Sequence, residues 1–302
     1  MNLFKLFRTR SKTECVQGVA LYRSPSPLAL ESFGITDRGM VRDSNEDCFA
    51  IVELARTLRV QQTNLPHGGP RYSGHRGHFF LVADGVGGNA VGEVASSLSV
   101  ETIEEFLLHT LKRFSNLQAT EEQNALKELQ AALVQADARI FQETARHPEW
   151  RGMGTTLTMA FAVNSRLFVA HAGDSRCYLL SNGDFHQLTQ DHTFFAELVR
   201  RGIVTDTAVQ HPYRHIVTNI LGGTEPGVRV ELHSLDIHPD DILLLCTDGL
   251  TEMVSDSRIA AILRAEKSPQ RACQRLIAEA NDQGGKDNIT AIVTHFKAPA
   301  NP

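Results

Sequence analysis

Apolar residues along this chain fall mainly into short runs that are separated by glycine and polar turns. Runs of this length predict β-strands, because an amphipathic helix needs more residues and a different spacing. We predict strands at residues 33–37, 48–52, 79–83, 157–163, 167–171, 176–180, 185–188, 216–221, 228–235, 242–246 and 289–295. The run at 79–83 (FFLVA) contains no polar residue, which predicts a strand buried on both faces.

Two longer stretches carry apolar residues at helical spacing and predict amphipathic helices at 93–114 and 121–146. Shorter helices are predicted at 194–201, 258–266 and 270–282. The order is therefore strands, two long helices, more strands, then helices and a closing strand. This order favours antiparallel sheets with helices packed outside them, an α+β fold.

Residues 55–77 contain two prolines and four glycines, which predicts a long loop between two strands. Three histidines lie in or next to this segment, His67, His75 and His78. Their spacing fits no zinc-ligand pattern, and they are expected to be solvated. We predict a domain at 32–296, a flexible extension at 1–31 and a short tail at 297–302. The first eight residues mix apolar and basic side chains, so a membrane-surface or partner-docking helix is the alternative there.

Composition narrows the class of protein. Among the 302 residues, 42% are hydrophobic and 22% charged, which is ordinary for a globular protein. A net charge of −5 gives no electrostatic case for nucleic acid binding, and no apolar run reaches the length of a membrane span. The five cysteines are scattered and lack CxxC spacing, which is typical of a protein in the reducing cytoplasm.

Carboxylates stand at the ends of several predicted strands. Asp84 and Asp248 each close an apolar run and precede glycine, Asp174 follows glycine after a similar run, and Asp287 comes just before the last strand. Converging carboxylates repel one another unless a cation lies among them, and Mg²⁺ and Mn²⁺ take oxygen ligands. The alternative is that Asp-Gly is simply common turn chemistry.

Eight ordered motifs carry a resemblance to a known family over residues 33–295. They are TDRG (36–39) with RxxNED (42–47), ADGxGG (83–88), GExAS (92–96), GxGTT (152–156), AGDSR (172–176), LTQDH (188–192), TDGL (247–250) and DNIT (287–290). The chain resembles bacterial metal-dependent serine/threonine protein phosphatases of type 2C. That family folds as a four-layer αββα sandwich, two antiparallel sheets flanked by helices.

The resemblance implies two core Mn²⁺ or Mg²⁺ ions and a weaker third. It implies that Asp84 is shared by the two core ions, with Asp248 and Asp287 at one of them. The implied ligands at the other are Glu46, Asp47 and the Gly85 carbonyl, while Asp174 would hold the third ion and Arg42 the substrate phosphate.

The implied reaction is hydrolysis of phosphoserine and phosphothreonine on proteins by a metal-activated water, opposing a serine/threonine kinase. Asp84 and Arg42 are then the catalytic residues, and a monomer is expected. Arg42 suits this role because a guanidinium binds two phosphoryl oxygens at once. Residues 191–215 resemble the family's flap, which is expected to be mobile and to select protein substrates.

Two positions depart from the family pattern. Relatives often place histidine beside or after the glycines that follow the first Asp-Gly, where this chain has Val86 and Asn89. No side chain is thus evident for protonating the leaving group.

Parts of the sequence are also compatible with two other functions. Residues 85–90 fit the GxGxxA fingerprint of nucleotide-binding modules, with Glu104 and Glu105 about twenty residues further on. Against this interpretation, Asp84 would face the pyrophosphate, and the two glutamates lie within a helical stripe instead of closing a second strand. A non-catalytic interaction protein on the same fold is the other alternative, and it would be expected to have lost ligands.

Overall fold

The computed structural model describes residues 28–58, 71–87, 91–114, 122–205, 213 and 215–298. The predicted N-terminal extension therefore lies almost entirely outside the described residues. Strand β1 begins at Ala29, before the expected start of the domain at residue 32.

Strands and helices follow the predicted order. The strands are β1 (Ala29–Asp37), β2 (Asp47–Leu58), β3 (Arg71–Val86), β4 (Gly154–Thr155), β5 (Leu157–Val163), β6 (Arg166–Ala172), β7 (Arg176–Ser181), β8 (Asp184–Gln187), β9 (Leu221–Gly222), β10 (Glu231–Asp236), β11 (Ile242–Cys246) and β12 (Ile289–Lys297). The helices are α1 (Val91–Phe114), α2 (Glu122–Arg146), α3 (Phe194–Arg200), α4 (Asp248–Thr251), α5 (Asp256–Ala265) and α6 (Pro269–Asp282). A short 3₁₀ turn spans Pro148–Trp150.

The strands form two antiparallel sheets that face each other. The smaller sheet has the order β1-β12-β11-β7-β8, and the larger has the order β10-β6-β5-β3-β4-β9, with β2 also paired to β3. Helices α1 and α2 pack on the outer face of the larger sheet, while α5 and α6 pack on the smaller one. The expected four-layer α+β sandwich is confirmed.

Successive side chains along the central strands point to opposite faces of the sheet, and this divides the core into layers. In β3, Phe79, Leu81 and Ala83 face the helices, whereas Phe80 and Val82 face the opposite sheet. All five side chains are fully buried. The strand predicted at 79–83 is therefore covered on both faces, as its uninterrupted apolar run required.

The predicted loop at 55–77 was partly wrong. Strand β2 continues to Leu58 and β3 starts at Arg71, and the two pair in register to their ends apart from an irregularity between Ala55 and Thr57. Backbone pairing across a long hairpin supplies hydrogen bonds that do not depend on side-chain polarity, so the composition was misleading. Residues 59–70, and His67 with them, lie outside the described residues.

The predicted strand at 216–221 was also mostly wrong. Only an isolated bridge between Thr193 and Val217 and the two-residue strand β9 form there. Buried Asn219 instead bonds the backbone of Arg229 from both its amide group and its carbonyl oxygen. Within the described residues, no helix is long and apolar enough to cross a membrane.

Candidate metal centre and phosphate site

Strand pairing places the first two carboxylates opposite each other. In the β2–β3 ladder, Asp47 is the direct cross-strand partner of Asp84. Just beyond this pair, the Gly85 amide donates to the Glu46 carbonyl at 3.1 Å. The NED motif and the first Asp-Gly are thus joined by sheet register, although Asp84 comes 37 positions after Asp47 in the sequence (84 − 47).

The Asp84 backbone is held firmly where β3 ends. Its amide donates to Thr156 Oγ1 at 3.0 Å, and its carbonyl accepts from the Thr156 amide and from Thr155 Oγ1, both at 2.9 Å. Thr156 Oγ1 also lies 2.8 Å from Ser175 Oγ, beside Asp174. The GxGTT motif therefore fixes the strand end that carries the central carboxylate.

The smaller sheet brings the other two aspartates to the same edge. Asp248 begins α4 directly after β11, and Asp287 precedes the neighbouring strand β12. A Cβ atom at Gly249 would lie 2.0 Å from the Asn288 carbonyl oxygen and 3.4 Å from Asp287 Cβ. Only glycine permits this approach, which keeps Asp248 and Asp287 together.

Asp47 links the two sheets. Its Oδ2 accepts hydrogen bonds from Thr247 Oγ1 at 2.8 Å and Thr290 Oγ1 at 2.6 Å, both on the smaller sheet. Its Oδ1 is buried and has no hydrogen-bond partner among the described residues. One oxygen is therefore tied to the fold while the other remains available to a ligand.

Glu46 is positioned by the start of α1. Ser96 Oγ donates to the Glu46 carbonyl at 2.6 Å. A Cβ atom at Gly92 would lie 2.5 Å from Glu46 Oε2, and one at Gly85 would lie 2.2 Å from the Gly92 carbonyl oxygen. These two glycines leave the space in which the Glu46 carboxylate sits.

Asn288 holds the loop that carries Arg42 and Glu46, a role that the sequence did not indicate. Its Oδ1 accepts from the Glu46 amide at 2.8 Å, and its Nδ2 donates to the carbonyls of Arg38 and Ser44 at 2.9 and 2.8 Å. Its position after Asp287 in the DNIT motif was the only available signal.

Arg42 lies at the rim of this cluster. Its Nη2 donates to Asp287 Oδ2 at 2.6 Å, while its side chain is 53% exposed. This hydrogen bond, together with the nearby Asp287, Glu46 and Asp84 charges, raises the guanidinium pKa. The remaining N–H donors are open to solvent and to a ligand.

Asp174 is buried in the turn between β6 and β7. Gly173 before it has a φ of +124°, and a Cβ atom there would meet the Thr156 side chain at 2.5 Å. The Asp174 carboxylate is close enough to raise the pKa of both Asp84 and Asp248. The structure therefore brings all the sequence-predicted site residues to one edge of the sandwich.

Burial and mutual repulsion make this cluster unfavourable without cations. Desolvation, followed by the neighbouring carboxylates, raises the pKa of Asp84 and Asp248 well above the ordinary aspartate value. Burial raises the pKa of Asp47 and of Asp174 to about 7. Burial is also the largest cause of the raised pKa of Glu46.

The donor set fits hard divalent cations. Asp248 Oδ1, like Asp47 Oδ1, is buried without a hydrogen-bond partner among the described residues. Buried anionic oxygens are costly unless they are paired or bind a cation. Several carboxylate oxygens gathered in one place are ligands that suit Mg²⁺ and Mn²⁺.

The nucleotide-binding alternative does not fit. Every described partner of β3 runs antiparallel to it, whereas the dinucleotide fingerprint belongs to a parallel βαβ unit. Gly85 lies among carboxylates, which would repel a pyrophosphate. Residues 88–90, including Asn89, lie outside the described residues.

The structure also contains a second cluster of titratable side chains, which the sequence did not indicate. His171, His192 and Glu231 bring their ligand atoms within 4.8 Å of one another. The His171 ring nitrogens are already bonded to Thr158 Oγ1 at 2.8 Å and to the Gln190 carbonyl at 3.1 Å. Burial lowers the His171 pKa to about 4, so this histidine is neutral and acts as a structural hydrogen-bonding residue.

Within the described residues, His215 joins the segment that resembles a flap to the C-terminal end of α4. His215 Nδ1 contacts Glu252 Oε1, and Glu252 lies one helical turn after Asp248. Thr193 caps α3 by accepting from the Ala196 amide at 3.1 Å. Helix α3 and its flanks thus lie beside the candidate centre.

Comparison with known proteins agrees with this geometry. The family model described as protein phosphatase 2C matches residues 72–289. A serine/threonine phosphatase stp of Listeria welshimeri is 34% identical over 260 residues, covering 85% of this chain and 92% of that protein.

Solved structures agree as well. The crystal structure of the Mycobacterium tuberculosis serine/threonine phosphatase PstP/Ppp superposes with a TM-score of 0.71 at 32% identity, covering 89% of this chain and 99% of that one. The catalytic domain of PstP in complex with two manganese ions gives a TM-score of 0.70 at 31% identity, with the same coverage.

Proposed function

The chain belongs to the protein phosphatase 2C family of metal-dependent serine/threonine protein phosphatases, and we propose that a binuclear centre at the sheet edge carries its reaction. The proposed ligands are Asp84, Asp248 and Asp287 at one ion, Asp84, Glu46, Asp47 and the Gly85 carbonyl at the other, and Asp174 at a weaker third ion. Mn²⁺ and Mg²⁺ both suit these oxygens.

The observation that carries the proposal is the cross-strand pair of Asp47 and Asp84. Two directly opposed carboxylates, each with a raised pKa, are stable as a pair only if a cation or a proton lies between them. At neutral pH a divalent cation is the better partner. The buried, unpartnered Oδ1 atoms of Asp47 and Asp248 support the same assignment.

The bound ions would lower the pKa of a water molecule and neutralise charge on the phosphoryl group, which is the chemistry that phosphomonoester hydrolysis needs. Arg42 would bind two phosphoryl oxygens through N–H donors that Asp287 does not use. Thr155 and Thr156 hold the Asp84 backbone in place at the end of β3 through their hydrogen bonds. Residues 191–215 would act as a flap that favours particular protein substrates.

The substrates of such an enzyme are phosphorylated proteins. We extend the proposal to a cognate serine/threonine kinase that supplies them, and to a monomer as the working form. The described cysteines are all free thiols, which supports a reducing compartment such as the cytoplasm.

Substitution of Asp84 tests the centre directly. We expect Asp84→Asn to fold, to lose at least about a hundredfold in turnover of p-nitrophenyl phosphate, and to lose Mn²⁺ binding by calorimetry. Chelation of the wild type should have the same effect on turnover and should be reversed by Mn²⁺. Asp184→Asn, at an exposed position in β8, is the matched control and should change neither quantity.

Activity of Asp84→Asn within tenfold of the wild type would refute the metal assignment. A wild type that binds Mn²⁺ but releases no p-nitrophenol would instead favour a non-catalytic interaction protein.

A further inference from the structure

A cleft of about 570 Å³ opens beside the candidate centre and contains none of the proposed metal ligands. It lies between β8 and β10, the outermost strands of the two sheets on this side of the sandwich, and α3 forms one wall. We call it the side cleft. Its volume is in the range of small-molecule binding sites.

Polar groups at the base of the side cleft already have hydrogen-bond partners. Arg176 binds Asp191 through two parallel hydrogen bonds, Nε to Oδ1 at 2.8 Å and Nη2 to Oδ2 at 2.6 Å. His192 Nε2 lies 3.3 Å from Glu231 Oε2, and the Gln190 amide also donates to Glu231. These contacts hold the base of the side cleft in place.

Unmatched positive charge lies at the rim. Buried Asn219 holds the Arg229 backbone, yet the exposed Arg229 side chain makes no ion pair or hydrogen bond with any residue that the structure describes. On α3, Arg200 shares the single carboxylate of Glu197 with Arg201. Arg200 and Arg229 both line the side cleft, while Arg201 does not.

The wall between these arginines is apolar. It is formed by Phe195, Ala196 and Val199 of α3 and by Val230. An apolar wall with positive charge at its rim suits a molecule with a flat hydrocarbon body and an anionic group.

We propose that the side cleft is a regulatory binding site for a small organic carboxylate, whose carboxylate contacts Arg229 and Arg200. Its apolar body would lie against α3 and Val230. This inference goes beyond the proposed phosphatase reaction, because it concerns a second site with its own ligand.

The regulatory part rests on His192, which lies in the wall of the side cleft. The His192 amide donates to the Gly173 carbonyl at 2.7 Å, and His192 Nδ1 accepts from the Gly173 amide at 3.1 Å. Gly173 directly precedes Asp174. A ligand that fixes α3 and His192 therefore also fixes the turn that carries Asp174, and through the proposed function it would change Mn²⁺ affinity there.

The test is an NMR titration of the Mg²⁺-loaded full chain with three probes of the same shape: 2-naphthoate, neutral 2-naphthylmethanol and cationic 2-naphthylmethylammonium. We expect naphthoate to bind with a dissociation constant on the order of 1 mM, and the other two at least about fivefold more weakly. Shifts should be confined to residues around the side cleft.

Variants of the site separate it from the metal centre. Arg229→Gln should weaken naphthoate binding by about fivefold, and Val199→Trp, which fills the side cleft, should abolish it. Arg201→Gln, at the residue that follows α3, is the matched control and should bind as the wild type does. Arg42→Ala and added inorganic phosphate should leave naphthoate binding unchanged, because both act at the other site.

Equal binding of the three probes, or unchanged binding in Arg229→Gln, would overturn the proposal. Displacement of naphthoate by phosphate would overturn it too, by placing the probe at the metal centre. The regulatory part requires saturating naphthoate to change Mn²⁺ affinity, measured by calorimetry, at least about twofold. An unchanged Mn²⁺ affinity would refute that part, and these readouts do not depend on phosphatase activity.

Discussion

Asp47→Asn should stabilise the metal-free protein at neutral pH although it would damage the proposed metal centre. Asp47 has an ordinary pKa of 3.8 and a folded-state pKa of about 7, with burial as the largest cause. A carboxyl whose pKa is raised in the fold favours folding while it is protonated. That contribution is present below about pH 4 and is lost as the pH rises through about 7.

The magnitude follows from the two pKa values. A difference of about three pH units, at about 1.4 kcal/mol each, corresponds to about 4 kcal/mol of destabilisation by the charged carboxylate above pH 7. Relaxation of the surroundings reduces the effect, so we expect a gain of about 2–4 kcal/mol for Asp47→Asn at pH 8. This is a large share of a typical unfolding free energy of about 5–15 kcal/mol.

Asparagine suits the site because its two side-chain atoms match the two environments. Its carbonyl oxygen can accept from Thr247 and Thr290 as Asp47 Oδ2 does, and its amide group takes the place of the unpartnered Oδ1. That amide would then donate toward Asp84, its cross-strand neighbour. The substitution therefore removes repulsion without removing the described hydrogen bonds.

The assay is urea unfolding of chelator-treated protein at about pH 4.5 and pH 8, with Asp184→Asn as an exposed control. The variant should gain stability over the wild type mainly at pH 8, with an unchanged m-value. Saturating Mn²⁺ should then stabilise the wild type more than the variant. A wild type as stable as the variant at pH 8, or an equal difference at both pH values, would refute the reasoning.

Three further substitutions test the roles of individual groups. Arg42→Ala should raise the KM for a phosphopeptide at least about tenfold and leave Mn²⁺ affinity unchanged or tighter, since Asp287 loses a competing partner; calorimetry that shows a large loss of metal binding would contradict this. Asp174→Ala should keep two core ions and lose most activity at limiting Mn²⁺, whereas wild-type activity across a full titration would make Asp174 a turn residue only. Gly92→Ala should weaken Mn²⁺ binding about tenfold, because the new Cβ would lie 2.5 Å from Glu46 Oε2, and unchanged affinity would mean that Glu46 is not a ligand.

The sequence predicted the elements and their order better than their pairing. The run at 79–83 identified a buried strand because it is apolar throughout and too short for a helix. It could not show that Asp47 would stand opposite Asp84, since register depends on the partner strand. The same limit explains the error at 55–77, where pairing extends the strands through a segment of loop-like composition.

The sequence indicated which residues belong to the candidate site, but not the hydrogen bonds that connect them. Asp-Gly at the ends of apolar runs pointed to Asp84 and Asp248 before any resemblance was considered. The supporting contacts of Asn288 were invisible, because each joins segments more than 200 positions apart. The side cleft was invisible for a similar reason, since its walls come from segments that meet only in the folded sandwich.

The division of the carboxylates between the two sheets has a consequence for biosynthesis. Asp47 and Asp84 belong to strands β2 and β3 of the larger sheet, whereas Asp248 and Asp287 flank the last two strands of the smaller one. Neither sheet alone holds the complete set of proposed ligands. A nascent chain would therefore remain unable to assemble the centre until residue 287 has left the ribosome and the two sheets have docked. A partly made phosphatase would be harmless to the phosphoproteins around it.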